Sequence, residues 1–252
     1  MSPEESRKAA AGPLGLEFGK FPLQFAKPVF FGEYPSQQRP SKVNNGTVSL
    51  LQLACGPVAV TCDHVVDYYR NHLRSGERCL FQISGCRFDP LDQLMSESPD
   101  ADLAVLTLTD KQAESVLKWG SHPSQFHVPV SWPPPPPLEG DDVLFGGYPG
   151  KWRTVLDYDS LQFDSYSCGH RVTAVGMRSF ICEVDQQYSA KTLYIEGLDD
   201  LTDFGGMSGG PVFVLRNLNL EFVGIVREYS ADRDAFLFTH AGLIGSDGQI
   251  TV

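Results

Sequence analysis

The most restrictive feature of this chain is a serine set among three glycines, Gly206-Met207-Ser208-Gly209-Gly210-Pro211. A tight turn that directs two backbone N–H groups at one point needs backbone angles that residues with a Cβ resist. The glycines around Ser208 therefore predict such a turn, in which Gly209 and Gly210 lead the chain closely beneath the serine. The apolar run that follows, Val212-Phe213-Val214, predicts a strand.

Two upstream blocks supply the residues that a serine nucleophile requires. His64 stands in Val60-Thr61-Cys62-Asp63-His64-Val65-Val66, and Asp102 opens Asp102-Leu103-Ala104-Val105-Leu106, 38 residues after the histidine. The order His, Asp, Ser is one of those in which hydrolytic triads are built. Histidine exchanges protons near neutrality, and a buried carboxylate fixes its tautomer. Asp100 competes with Asp102 for the second role.

Together these three blocks resemble the trypsin/chymotrypsin-like serine peptidases of the bacterial, intracellular type. The resemblance extends from about Gly46 to Phe238. It implies an all-β fold of two six-stranded antiparallel Greek-key barrels with a few short helices. It also implies a peptidase in which His64 is general base and acid, Asp102 orients the imidazole and Ser208 attacks.

The resemblance further assigns the oxyanion hole to the N–H groups of Gly206 and Ser208. Met207 stands where members activated by pro-peptide cleavage carry an aspartate, which favours the bacterial type. The serine that supports the triad aspartate in the family has no counterpart, since Phe222 or Val223 falls at its position.

The sequence says less about substrate specificity than about the catalytic residues. An aspartate six residues before Ser208 would select Arg or Lys in this family, but Thr202 stands there and Asp203 is adjacent. Gly224 resembles the glycine that, in this family, leaves the wall of the substrate pocket open to a side chain. Arg227 either receives an acidic substrate side chain at the pocket rim or is an exposed loop arginine. The residues assigned to the pocket are Thr202, Asp203, Val223, Gly224 and Arg227.

Each block also has an ordinary structural interpretation: a glycine-rich turn, a histidine that opens a helix and an aspartate that caps a strand. Their joint occurrence favours a serine endopeptidase that acts without cofactor or metal on a protein or peptide substrate. One rival is a catalytically silent trypsin fold that binds peptides or regulates a partner protein. A second rival is an esterase that uses the same triad.

The 252 residues, 42% of them hydrophobic, suffice for one large or two small cores. The formal charge of −11 argues against nucleic acid or an anionic membrane as a partner. No run is apolar enough for a signal peptide or a membrane span, so we expect a cytoplasmic protein. Its expected divisions are an arm (1–16), a first barrel (17–132), a proline-rich linker (133–139) and a second barrel (140–252).

The six cysteines are expected to be free thiols, because no CxxC pair occurs and the family's bridge next to the catalytic histidine is missing. Cys168, His170 and Cys182 could ligate a metal, but buried free cysteine is the commoner state. The run Pro133–Pro137 predicts a stiff connector. The alternative is a ligand for an SH3 or WW-type domain.

Hydrophobic spacing predicts helices from His64 to Leu73 and from Asp110 to about Lys118, and a short one over Thr239–Leu243. Many short apolar runs separated by Gly, Pro, Asn and Asp predict strands. Among them are Val48–Leu50, Val58–Val60, Leu103–Leu106, Leu193–Ile195 and Phe222–Val226.

Overall fold

The computed structural model describes residues 12–33, 43–76, 78–120, 123–157, 160–184, 190–191, 203–216 and 219–252. Within these ranges the first half of the chain forms one antiparallel sheet of seven strands, in the order β5-β4-β1-β2-β3-β7-β6. Its strands are β1 Ala26–Glu33, β2 Val43–Leu53, β3 Gly56–Thr61, β4 Cys79–Ile83, β5 Cys86–Arg87, β6 Leu94–Ser98 and β7 Leu103–Thr107.

The second half forms an antiparallel sheet of eight described strands, in the order β12-β13-β17-β16-β15-β8-β11-β14, and a hairpin of β9 and β10. The strands are β8 Asp142–Gly147, β9 Arg153–Asp157, β10 Ser160–Phe163, β11 Tyr166–Arg171, β12 Ala174–Val175, β13 Ser179–Glu183, β14 Ala190–Lys191, β15 Pro211–Arg216, β16 Asn219–Ser230 and β17 Ala235–His240.

The helices in the described ranges are few and short. They are α1 Pro13–Lys20, α2 Asp63–Arg74, α3 Pro90–Gln93 and α4 Asp110–Lys118, with 3-10 turns at Pro22–Phe25, Gly150–Trp152 and Ala241–Leu243. Thr109 caps α4 through a reciprocal capping box with Gln112. No helix in the described ranges is long and apolar enough to cross a bilayer.

The expected all-β class, with two antiparallel halves and few helices, is confirmed, although the sheets contain seven and eight described strands instead of six each. The helices predicted after His64 and Asp110 are present. The predicted terminal helix is only a 3-10 turn, because Thr239 and His240 still belong to β17. The predicted strand Leu193–Ile195 lies outside the described residues.

The start of the chain is held more firmly than a loose arm would be. Helix α1 begins at Pro13, inside the range expected to form the arm, and packs against β8 and β11 of the second half. The Ser167 hydroxyl of β11 donates a hydrogen bond to the carbonyl of Gly19. Residues 13–25 therefore belong to the folded body, while 1–11 lie outside the described residues.

An aromatic cluster joins the two halves. Phe213 of β15 is fully buried, and its ring lies 5.0 to 5.6 Å, between centroids, from four other rings. These four are Phe21, Phe25, His127 and Phe222. Burial lowers the pKa of His127 to about 4, so this ring packs as a neutral aromatic group at neutral pH.

The proline run lies along the surface of the second half. Pro134 and Pro137 are buried, three residues apart, as the three-residue period of polyproline II predicts. Arg216 donates hydrogen bonds to the carbonyls of Pro135 (3.3 Å) and Pro136 (2.7 Å). A ligand for an SH3 or WW-type domain needs accessible prolines, so this burial disfavours that alternative.

Replacing Phe213 with Ala should lower the free energy of unfolding by about 3–5 kcal/mol, because the ring is fully buried among aromatic neighbours. The matched control is Leu215→Ala on the same strand, where the side chain is 41% exposed and the loss should be about 1 kcal/mol or less. Chemical denaturation of both variants measures the difference. Equal losses would mean that the aromatic cluster does not join the halves as described.

Candidate active site

His64 is placed by the junction between β3 and α2. Strand β3 ends at Thr61, Cys62 occupies the helix N-cap position, and His64 is the second residue of α2. The fully buried Cys62 thiol lies 3.3 Å from the carbonyl oxygen of Val226 in the second half. One turn later on α2, the Tyr68 ring meets the imidazole edge to face at 5.9 Å. The His64 side chain is 38% exposed, so its free edge faces solvent.

Asp102 lies in the turn between β6 and β7, in a left-handed conformation with φ of 52°. Its carboxylate receives three contacts from His64: the backbone N–H at 3.0 Å, and ring Nδ1 at 3.0 Å from Oδ1 and 2.9 Å from Oδ2. The competing Asp100 is 81% exposed and faces Arg178. Asp102 is therefore the carboxylate that orients the imidazole.

The charge of Asp102 is stabilised by its neighbours. Burial opposes ionisation, since only 12% of the side chain is exposed. The hydrogen bond and charge of the His64 ring, the His64 backbone N–H and the charge of Arg227 outweigh this burial and lower the pKa of Asp102. An ionised Asp102 accepts a hydrogen bond from the N–H at Nδ1, which leaves Nε2 of His64 as the ring's proton acceptor.

The turn that carries Ser208 is held from the first half by alternate residues of β2. Thr47 donates through its backbone N–H to the carbonyl of Ser208 (2.9 Å) and through its hydroxyl to that of Gly206 (2.8 Å). Ser49 donates through its hydroxyl to the carbonyl of Gly209 (2.7 Å). Because side chains two residues apart share one face of a strand, β2 presents these donors as a row.

The glycines of this turn are required by its geometry. Gly206 and Gly209 have φ of 97° and 93°, and a Cβ on Gly209 would lie 2.0 Å from the carbonyl oxygen of Thr47. Met207 points into the second core and is fully buried. Among the hydrogen bonds of the described residues, none uses the N–H of Gly206 or of Ser208. Two backbone donors beside Ser208 are thus available to an oxygen.

The Ser208 hydroxyl is hydrogen-bonded to the backbone of the second half. It donates a hydrogen bond to the backbone carbonyl of Arg227, at 2.9 Å. In the described part of the chain no hydrogen bond joins Ser208 to His64. The structure therefore brings together an oriented His64–Asp102 pair and Ser208, with the serine hydroxyl held by Arg227.

Arg227 has a place that counting along the sequence missed. Its Nε lies 3.6 Å from Oδ2 of Asp102. The position beside the aspartate was expected at Phe222 or Val223, but both are buried in the cores. The reason is that β16 continues beyond them to Ser230 and contains a bulge at Arg227. The sequence carried one signal of this extension, because the run that forms β16, beginning at Asn219, is unusually long.

Among the described residues, those expected to form a pocket are not gathered into one. Val223 and Gly224 are buried in the second sheet, and a Cβ on Gly224 would lie 2.4 Å from the carbonyl oxygen of Thr239. Gly224 therefore allows two strands to approach closely and does not form an open side of a substrate pocket. Asp203 is exposed and accepts a hydrogen bond from the N–H of Gly205 (2.8 Å). Thr202 lies outside the described residues.

All six cysteines are free thiols. Cys62, His64 and Asp102 bring potential metal-binding atoms within 4.8 Å of one another. The chemistry of this group does not suit a cation, because Arg227 adds a positive charge and burial, with the charge of Asp102, raises the pKa of the Cys62 thiol far above its usual value. Among the described residues, Cys168, His170 and Cys182 do not form a converging group.

No protein-family model matches this chain, and no curated protein matches it. Among solved structures, it is similar to the thermostable serine protease AL20 from an extremophilic microorganism, with 14% identity and a TM-score of 0.45 over 86% of this chain and 91% of that one. It is also similar to Deg5, with 13% identity and a TM-score of 0.47 over 95% and 91% of the two chains. These likenesses say nothing of activity.

The arrangement of the chain itself is that of a trypsin-like fold. In the first half, His64 follows the end of β3 and Asp102 directly precedes β7. In the second half, Ser208 lies just before β15. The two sheets meet where these three residues stand, since β2 binds the Ser208 turn. The candidate active site is this junction.

Gly209→Ala should prevent the serine turn from forming, because the added Cβ would clash with the Thr47 carbonyl oxygen. The positive φ at this position is also strained for a residue with a Cβ. We expect a loss of at least about 3 kcal/mol of unfolding free energy. Gly56→Ala is the matched control, since its φ is also positive (116°) but nothing lies within 4 Å of its Cβ, and it should cost about 1–2 kcal/mol. Similar losses for both variants, measured by denaturation, would contradict the close approach.

Asp63 should make stability depend on pH. It is buried, its Oδ1 has no hydrogen-bond partner in the described structure, and burial with nearby Glu97 and Asp102 raises its pKa to about 6. The folded state thus binds this proton more tightly than the unfolded state, so stability falls as pH rises from about 4 to above 6.

Asp63→Asn should therefore stabilise the protein at pH 7, by about 1–2 kcal/mol, and have a much smaller effect at pH 4, where the carboxyl is protonated in the folded state and about half protonated in the unfolded state. Urea denaturation of both proteins at the two pH values measures this. A gain that is equal at both pH values would show that charge is not its cause.

Proposed function

We propose that this chain is a serine endopeptidase that cleaves peptide bonds through an acyl-enzyme on Ser208. The observation that carries the proposal is the imidazole of His64 held by both oxygens of Asp102, next to a serine turn in which two N–H groups have no hydrogen-bond partner among the described residues. A trypsin-like fold is in keeping with this reaction. No cofactor or metal takes part in the proposed mechanism.

The proton transfers follow from the orientation of His64. With Nδ1 donating to Asp102, Nε2 accepts the proton of the Ser208 hydroxyl as its oxygen attacks the scissile carbonyl carbon. The same proton then passes to the leaving amine, and a water molecule, deprotonated by Nε2, hydrolyses the acyl-enzyme. For the first step, the hydroxyl must rotate from the Arg227 carbonyl toward His64, a change of one side-chain torsion.

The two free N–H groups stabilise the charge that develops on the substrate oxygen. Gly206 and Ser208 act here as the oxyanion hole, fixed by the bonds that β2 makes to the carbonyls of the same turn. Because these donors are held before the substrate arrives, they need no rearrangement during the reaction. A donor of this kind typically contributes about 3–4 kcal/mol to catalysis.

The substrate is proposed to bind as an extended strand along β16. β15 pairs with β16 only from Asn219 to Ile225, so the edge from Arg227 to Ser230 has no strand on that side within the described residues. A protein or peptide segment can add to such an edge through its backbone. The acidic charge makes nucleic acid and anionic membrane poor partners, while a regulatory partner protein is compatible with this proposal.

One observation favours a second candidate, a catalytically silent module that binds peptides. The Ser208 hydroxyl is bonded to a carbonyl and not to the base. If that bond persisted when substrate was bound, the edge of β16 would still bind an extended peptide without cleaving it. An active-site reagent distinguishes the two candidates, because only a serine activated by His64 reacts with it.

A fluorophosphonate probe should label the wild-type protein on Ser208. Ser208→Ala should abolish labelling, and His64→Ala and Asp102→Asn should slow it by about 10³-fold or more, since the three residues act as a unit. Mass spectrometry of the labelled peptide identifies the site, and cleavage of a peptide library measures turnover. Because the six cysteines are free thiols, these assays can be run in reducing buffer.

Ser131→Ala is the control, because this serine is exposed and lies outside the candidate active site. The Ser131→Ala protein should be labelled on Ser208 at the wild-type rate. Absence of labelling in the folded wild type would reject the peptidase and leave the silent module. Rapid turnover of esters with none of peptides would instead indicate an esterase.

A further inference from the structure

Arg227 is the extra residue of a β-bulge. Along β16 and β17, Val226 pairs with Phe238 and Glu228 pairs with Leu237, so Arg227 has no partner of its own in β17. A bulge bends a strand and redirects the side chain and carbonyl of the unpaired residue. Here both groups of Arg227 are directed at the candidate active site.

The two groups reach different residues. The backbone carbonyl accepts the Ser208 hydroxyl at 2.9 Å, and the guanidinium Nε lies 3.6 Å from Oδ2 of Asp102. The side chain is 32% exposed, and Asp102 is its only ion-pair partner in the described part of the chain. A positive charge thus stands next to the carboxylate that holds the imidazole.

We propose that Arg227 is a positioning residue that fixes the Asp102 carboxylate against His64 and whose charge sets the pH range over which His64 acts as a base. This inference rests on the proposed function of the site. It replaces the expectation that Arg227 lines the substrate pocket.

The direction of the effect follows from the charges. An ionised Asp102 favours a positive imidazolium, which is unable to accept the serine proton. Arg227 offsets part of the carboxylate charge and disfavours a second positive charge nearby, so it favours the neutral imidazole, the form that accepts the serine proton. Arg227 also lowers the pKa of Asp102, which keeps the carboxylate ionised over the same range.

Other titratable groups lie around this contact. Cys62, Asp63 and Tyr68 belong to the start of α2, Glu97 of β6 acts on Asp63, and the exposed Glu228 follows Arg227 on β16. The Cys62 thiol stays protonated at neutral pH because burial raises its pKa. Asp63 carries a negative charge above about pH 6, so it opposes the effect of Arg227 there. These groups are unchanged in the variants below.

The experiment measures the rate of fluorophosphonate labelling of Ser208 from pH 5 to 9 in the full chain. In Arg227→Gln, the midpoint of the pH profile should move upward by about 0.5–1 pH unit, since the offsetting charge is gone. Arg227→Lys keeps the charge and should keep the midpoint near that of the wild type. Arg233→Gln, the same charge change in the exposed turn after β16, is the matched control and should not move it.

If the pH profile of labelling had the same midpoint in Arg227→Gln as in the wild type, the proposal would be overturned. It would also be overturned by a fall in plateau rate that is equal in the Gln and Lys variants and leaves the midpoint unchanged, because that pattern means a structural role alone. If the wild type is not labelled at all, the proposed function fails, and the charge effect is then read from the pH titration of the His64 ring protons by NMR. An unshifted NMR titration in Arg227→Gln would reject the inference independently of activity.

Discussion

The row of polar groups on β2 is the constraint on which the rest of the site depends. Thr47 and Ser49 are fully buried, yet their hydroxyls and the Thr47 N–H are satisfied by the carbonyls of the serine turn. Buried polar groups without partners are costly, so neither the strand nor the turn can move away alone. The first half thereby fixes the backbone of the nucleophile that the second half provides.

The same dependence between halves recurs on the opposite side of the serine. Val226 accepts the N–H of Gly209 (2.7 Å) and the thiol of Cys62, and the bulge beside it brings Arg227 to Asp102. The aspartate and the serine turn are thus each contacted by an element from the other half, and so is Cys62, two residues before the histidine.

Local features were predictable from the sequence because their causes are local. The spacing of Val65, Val66 and Tyr69 predicted α2, and glycines predicted the turn around Ser208. The choice of Asp102 over Asp100 was left open, since only folding shows which carboxylate lies beside the imidazole. The assignments of Val223 and Gly224 to a pocket failed because counting along the chain cannot detect how far β16 extends or where it bulges.

The sequence by itself determined the chemical elements of this protein: a serine in a glycine turn, a histidine at a helix start, an aspartate before a strand, and many short apolar runs that predict strands. These follow from backbone freedom and hydrophobic period, which operate over a few residues. Only the tertiary structure decided that Arg227 faces Asp102, that the Ser208 hydroxyl is bonded to a carbonyl, and that Pro134 and Pro137 are buried. Such contacts join residues distant in sequence, so they depend on strand register and packing, which no local pattern specifies.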